Sequence, residues 1–366
     1  MAERTEMTPL DELLRHLAEV RGSDLHLKPG AAPHVRVDGQ LRPTSFDAPA
    51  PGLVEALAAE ILDDRRRAEL AELGEAASAV SVPGIGRFRV AVHRQRGSLA
   101  MVIRRVPLEI PDLAALGLPA PVERLAEEER GLLLVTGSRG AGKTTTVAAL
   151  LDRINHRRSC HILTIEDPIE VIHPDAEAIV TQREVGTDTA SYVAALHSGL
   201  RQDADVVFVG ELVDGPTARA ALTAAELGHL VISTMRASSA AHSVQRLIEL
   251  FPPIDQGQVR HALGSTLRGI VNQRLLERAD GRGRIPAVEV LVGTSKVAEA
   301  VADPAHQTPL DQLIAEGQYH GMQTLDQALL ELVRDGMVSL RDALAASPNP
   351  EDLRIALGSA GVSSTI

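Results

Sequence analysis

Residues 137–144 read Gly137-Ser138-Arg139-Gly140-Ala141-Gly142-Lys143-Thr144, a full match to G-x-x-x-x-G-K-[ST]. Leu132-Leu133-Leu134-Val135 runs ahead of it, apolar and long enough for one buried strand. Thr145-Thr146-Val147-Ala148-Ala149-Leu150-Leu151 follows, good material for a helix. Strand, glycine loop and helix are the context the motif demands. Glycines let the backbone curl until its N–H groups face a phosphate, and the helix N-terminus adds positive dipole at the same point. In such a loop the lysine, here Lys143, reaches the outer phosphates, and the hydroxyl of Thr144 meets Mg²⁺. The alternative is a Gly-rich turn without function, which leaves the flanking strand and helix unexplained. The loop points to a nucleoside triphosphate and is silent on how its energy is used.

The chain has 366 residues, so two or three domains are expected. Hydrophobic residues make up 44%, enough to fill real cores; aromatics are only 2%, so those cores rest on Leu, Val, Ala and Ile. A net charge of −12 argues against nucleic acid as the main partner, because the phosphate backbone rewards a basic face. Cys160 is the single cysteine, which excludes an internal disulfide and a four-cysteine zinc site. No apolar run reaches the roughly 18 residues of a membrane span and no secretory signal opens the chain. A cytoplasmic protein is expected, with any membrane contact peripheral.

Residues 1–107 read as a mixed α/β domain. Thr8-Pro9 opens a helix with an apolar stripe of Leu10, Leu13, Leu14 and Leu17. Asp24–Leu27 and His34–Val37 alternate with period two, as strands do, and Asp38-Gly39 signals a hairpin. Residues 52–73 fit one amphipathic helix, and residues 87–92 and 99–104 a strand pair. Pro107 and Pro111 mark a linker, 108–116. Residues 117–290 alternate short apolar runs with helical patterns, which predicts a parallel α/β sheet with strands at 132–135, 161–165, 206–210 and 229–233. The stretch 291–346 reads as helical, and 347–366, with its Pro, Ser and Gly, as a loose tail.

Two further strands end in acids. Ile162-Leu163-Thr164-Ile165 leads to Glu166-Asp167-Pro168-Ile169-Glu170, and Val206-Val207-Phe208-Val209 to Gly210-Glu211. Carboxylates at strand C-termini sit near the phosphate loop of an open α/β sheet, where they hold Mg²⁺-bound water or orient the attacking water. A solvated strand end is the ordinary fate of such acids, and the residues alone do not separate Glu166 from Glu211. His229 opens a third run, Leu230-Val231-Ile232-Ser233-Thr234; a lone histidine is more often a structural hydrogen-bonder.

Together these motifs resemble the type IV pilus twitching-motility ATPases, the retraction branch of the secretion ATPase superfamily. The resemblance runs from about Ser23 to about Ala345. It rests on Ser23-Asp24-Leu25-His26-Leu27, Val35-Arg36-Val37-Asp38-Gly39, Arg87-Phe88-Arg89-Val90 and the phosphate loop. It rests equally on the acidic box at 164–170, Gln182–Gly186, Val209-Gly210-Glu211, Gly228–Val231, Leu250-Phe251-Pro252 and Gly321–Asp326. The resemblance implies a PAS-like α+β N-terminal domain, a RecA-like ATPase domain and a helical C-terminal region. It implies ATP and Mg²⁺ as ligands and a homohexameric ring acting on pili at the cytoplasmic face of the inner membrane, with a platform protein as partner and another pilus ATPase as an optional one. It implies catalytic roles for Glu166, Glu211 and His229. It makes Gly137, Ser138, Arg139, Gly140, Ala141, Gly142, Lys143, Thr144 and Thr145 nucleotide-binding, with Thr144 and Glu166 toward the metal. Arg89, Arg96 and Arg104 look like strand arginines that reach the nucleotide in the family; ordinary exposed strand charge is their other reading.

The departures from the pattern are specific. Arg236 stands where the family has a second histidine, and a fixed cation neither accepts a hydrogen bond nor titrates as imidazole does. Val213 replaces an arginine, His197 an arginine and Gln202 a glutamate. The helix after Gly293-Thr294 carries Ala298 and Ala302 where the family has arginines. These changes describe a divergent paralogue. They keep two rivals open: a nucleotide-binding ring subunit that does not hydrolyse, and a pilus-assembly or secretion ATPase.

Overall fold

The computed structural model describes residues 8–37, 39–106 and 110–360. Asp38 of the expected hairpin turn, Pro107 of the expected linker and residues 361–366 of the expected tail lie outside them. The chain divides into two units, Met1–Glu109 and Ile110–Ile366.

The first unit holds α1 (Pro9–Glu19), β1 (Asp24–Leu27), β2 (His34–Val37), β3 (Gln40–Pro43), α2 (Pro51–Ile61), α3 (Asp64–Leu73), β4 (Glu75–Val82), β5 (Gly86–Gln95) and β6 (Ser98–Arg105). Thr8 and Asp11 cap α1 reciprocally, satisfying two otherwise orphaned N–H groups. The strands form one sheet in the order β3-β2-β1-β6-β5-β4. Alternation puts Leu25, Leu27, Val35, Phe88, Val90, Val92, Met101 and Ile103 on the face that joins the helices' leucines in one core. The single helix expected over 52–73 is two. Asp63 accepts the backbone N–H of Arg66 at 2.8 Å and starts a new helix, so a local cap overrides the continuous amphipathic pattern.

The second unit holds α4 (Ala120–Leu125), β7 (Gly131–Thr136), α5 (Lys143–Asn155), β8 (His161–Glu166), β9 (Ile179–Glu184), α6 (Tyr192–Gly199), β10 (Val206–Val209), α7 (Gly215–Glu226) and β11 (Leu230–Met235). Then come α8 (Ala240–Glu249), α9 (Pro253–Thr266), β12 (Leu267–Glu277), β13 (Arg284–Val292), α10 (Ser295–Ala302), α11 (Leu310–Glu316), α12 (Leu325–Arg334), α13 (Leu340–Ala346) and α14 (Pro350–Ser359). Its sheet runs β13-β12-β7-β11-β10-β8-β9. Strands β12, β7, β11, β10, β8 and β9 are parallel, and β13 is antiparallel on β12. Leu132, Leu133, Leu134 and Val135 are fully buried, as a central strand covered on both faces must be. Each such leucine contributes roughly 2 kcal/mol by leaving water.

Three expectations change here. The four strands predicted for this unit are present, but β9, β12 and β13 join them, and β13, antiparallel on β12, turns a parallel sheet into a mixed one. His229 precedes β11 rather than opening it. Most of the expected tail is ordered: Leu353 and Leu357 of α14 are buried with Leu325, Leu329 and Ala343 in a separate C-terminal core. Its Pro350 supplies a helix N1 position rather than a break.

Candidate active site

Parallel strands bring their C-terminal ends to one edge, and the ladder registers align them. Thr136 pairs Met235, Ser233 pairs Val209, and Val209 pairs Ile165. The phosphate loop, Glu166, Glu211 and Arg236 all follow or close these strands, so topology alone gathers them. They line a cavity of about 530 Å³ together with Arg139, Thr144, Glu170 and Tyr192.

The loop is moulded against β12. A Cβ on Gly137 would lie 2.5 Å from the carbonyl oxygen of Gln273, and one on Gly142 would lie 2.9 Å from its Nε2. Gly142, at φ +88, also caps α5. No other residue type fits both the backbone angle and the space at that position. Lys143 folds back on the loop, its ammonium donating to the carbonyls of Gly137 at 3.0 Å and Ser138 at 2.9 Å. Burial pushes its pKa below the ordinary lysine value; Glu211 opposes that, and Arg236 adds to it.

Glu166 is buried at the end of β8. It accepts hydrogen bonds from the hydroxyl of Thr164 at 2.7 Å, the amide of Gln182 at 3.2 Å and the backbone N–H of Glu170 at 3.3 Å. Burial raises its pKa, and those three bonds hold it down in part. A carboxylate offers about four lone-pair positions, so one remains for a cation. Glu211 meets Arg236, Nε to carboxylate oxygen at 3.1 Å. Space at Gly210 is tight for the acid many such loops carry there. A Cβ would sit 3.1 Å from the Tyr192 hydroxyl and 3.4 Å from the carbonyl of Ile165. Thr234 ties this turn to β11, its hydroxyl donating to the Gly210 carbonyl at 2.6 Å and its carbonyl accepting from Leu212 N–H at 2.9 Å.

Among the remaining candidates, Arg139 and Thr144 line the cavity, and Thr145 is exposed on the first turn of α5. His229 is not brought to this edge. It lies at the start of β11, against Gly131 at the start of β7, while the loop leaves the far end of β7. Six residues of strand separate the two edges by roughly 20 Å. The histidine ring contacts the Ala204 carbonyl at 2.7 Å, in a cavity shared with Arg130, Arg158 and Asp205. Arg89, Arg96 and Arg104 belong to the first unit. Arg89 and Arg104 are cross-strand partners on β5 and β6, and Arg104 donates to Asp24 at 2.7 Å. Arg96 is not a strand residue: at φ +49 it forms the β5–β6 turn with Gly97, because two residues are needed to reverse the chain there.

The sequence reading missed Tyr192, His173 and Gln273. Burial drives the Tyr192 hydroxyl far above its usual pKa, with Asp167, Glu166 and Glu211 adding to the effect. Burial likewise pushes His173 down to about 4. Both line the cavity, yet neither carries a local pattern that marks it.

Residues 9–345 match the family described as type II/IV secretion system protein. The chain belongs to that family. It is 38% identical over 343 residues to the type IV pilus retraction ATPase PilT of Pseudomonas aeruginosa, covering 94% of this chain and 99% of that protein. It is 39% identical over 346 residues to the type IV pilus ATPase PilU of the same organism, covering 94% and 90%. A crystal structure of the pilus retraction motor PilT with bound ADP superposes with a TM-score of 0.86 at 41% identity, covering 96% of this chain and all of that one. The fold is thus that of a secretion ATPase, an N-terminal domain joined to a RecA-like ATPase domain, and the chain is homologous to pilus retraction ATPases.

Within this family setting the departures sort by position. Val213 and Arg236 line the cavity. His197 and Gln202 are exposed side chains elsewhere on and after α6, and Gln202 bonds Ser198 at 2.9 Å. Ala298 and Ala302 lie where α10 crosses α9. A Cβ on Gly264 would be 2.8 Å from the Ala298 carbonyl and 3.5 Å from the Ala302 methyl. Among the described residues no helix is long and apolar enough to cross a membrane, and no cluster of three or more His, Cys, Asp or Glu forms a metal site alone.

Proposed function

We propose that this chain is an ATP-hydrolysing motor subunit of type IV pilus retraction, working as a homohexameric ring at the cytoplasmic face of the inner membrane. The observation that carries it is the gathering of Lys143, Thr144, Glu166 and Glu211 around one cavity at the C-terminal edge of a parallel sheet. Backbone N–H groups of the loop and the α5 N-terminus would bind the phosphates. Lys143 would exchange its two loop carbonyls for phosphate oxygens, which are charged acceptors and therefore stronger ones. Thr144 and the free position on Glu166 would hold Mg²⁺ arriving with the nucleotide, a hard-oxygen set of the kind that ion takes when phosphates complete its shell. Glu211 would orient the attacking water.

The Arg236–Glu211 ion pair favours a second reading, a nucleotide-binding subunit whose hydrolysis is muted until a partner ATPase engages it. Steady-state ATP hydrolysis by purified protein, beside Glu211→Gln and Lys143→Ala, separates the two. Turnover lost in Glu211→Gln and binding lost in Lys143→Ala support the motor. Tight binding without turnover supports the second reading. Unchanged binding in Lys143→Ala would sink the site itself.

A further inference from the structure

Gln273 sits on β12, more than 120 residues beyond the phosphate loop, and is 1% exposed. Its Nε2 donates to the Ala141 carbonyl at 2.5 Å, and its Oε1 accepts from the Thr146 hydroxyl at 2.9 Å. The orientation of this amide is set by chemistry: a carbonyl can only accept, so the NH₂ group must face Ala141. One planar group therefore ties the last curl of the loop to the first turn of α5. The glycine between those anchor points, Gly142, packs against the same amide and against Leu275. At the other end of the loop, Gly137 packs against the carbonyl of Gln273 itself. Strand β12 is thus the mould on which the loop is bent.

We propose that Gln273 is a positioning residue for the nucleotide site: its side-chain amide sets the curvature of the phosphate loop and so the direction of the N–H groups that meet phosphate. The inference rests on the reading of this loop as the nucleotide site. Gln273 is not among the side chains lining the cavity, so it acts on the ligand only through the loop. Buried polar groups left without partners are costly, so removing the amide leaves Ala141 and Thr146 searching for others and frees the loop to open.

Calorimetric titration of the full chain with Mg²⁺–ADP and Mg²⁺–ATP tests this, comparing wild type with Gln273→Met, which keeps the volume and loses both bonds. ADP and ATP affinities should fall in parallel by about tenfold or more, because the loop cradles phosphates the two nucleotides share. Amide hydrogen exchange across 140–146 should quicken in the nucleotide-free variant. Thr146→Val should reproduce part of the loss, and the double variant should be no worse than Gln273→Met, since the bond that Thr146→Val removes is already lost in Gln273→Met. Thr146→Val carries the test alone if Gln273→Met fails to fold. Affinities within twofold of wild type in these variants, even with a lowered melting temperature, would make the amide merely structural and overturn the proposal. Absence of binding in the wild type would instead defeat the reading of the site on which it rests.

Discussion

Arg236 and Glu289 show how single side chains set behaviour at this edge. The Arg236–Glu211 pair is largely exposed on the arginine side, so it is worth roughly 0–1 kcal/mol. It is cheap to break and still occupies the carboxylate that would orient water. Turnover in Arg236→Ala should therefore rise, by up to about fivefold, with ADP affinity unchanged. Initial-rate assays with a coupled ADP readout check this; a fall would assign the guanidinium to phosphate charge instead. Glu289 lies buried on β13 and accepts the N–H of Ala240, at the start of α8, at 2.6 Å. Burial lifts its pKa from 4.5 to about 7. Below 4.5 the carboxyl is protonated folded or unfolded and contributes nothing. As pH rises toward 7 the unfolded chain ionises first, so stability is lost, levelling above 7 at about 3 kcal/mol. Thermal unfolding of Glu289→Gln should match wild type near pH 4 and exceed it progressively up to pH 8. A gap independent of pH would remove burial of the charge as the cause.

Elements were read from sequence as well as their signals allow. Strands β7, β8, β10 and β11 are mainly apolar runs, and α1 carries both a cap and a stripe. Strands β12 and β13 are not among the predicted strands because their Leu, Val and Ile are interrupted by Asn272, Gln273, Arg274 and Glu289. Those polar residues meet tertiary partners that a local pattern cannot display: the Nδ2 of Asn272 donates to Thr136 and Ala237, and Gln273 bonds the loop. The C-terminal helix α14 was hidden by Pro, Ser and Gly, although Leu353 and Leu357 stand four apart on its buried face. Leu353→Ala should destabilise the protein by about 2–4 kcal/mol through a cavity in that core. Chemical denaturation measures it; a change below about 0.5 kcal/mol, the size of an ordinary surface substitution, would return residues 350–359 to the loose tail first expected.

At the scale of the whole molecule, the candidate site was legible in its local parts and illegible in its assembly. Glu166, Glu211 and the loop announced themselves as strand ends, and parallel pairing placed them together without further instruction. His229 misled because the same family pattern that contains it says nothing of which end of a strand it occupies. Arg96 misled because a turn arginine and a strand arginine look alike in one dimension. Gln273 was invisible, since its partners lie more than 120 residues away. The moulding of the loop on β12 also bears on how such a nucleotide site can be inherited. The eight-residue motif is not a portable cassette: a fragment ending at Glu249 would keep every residue of the motif and lose the surface that shapes it. Recombination that exchanges the C-terminal part of this chain with that of a relative must therefore carry a compatible β12, or the transplanted signature would survive in the gene while its grip on phosphate did not.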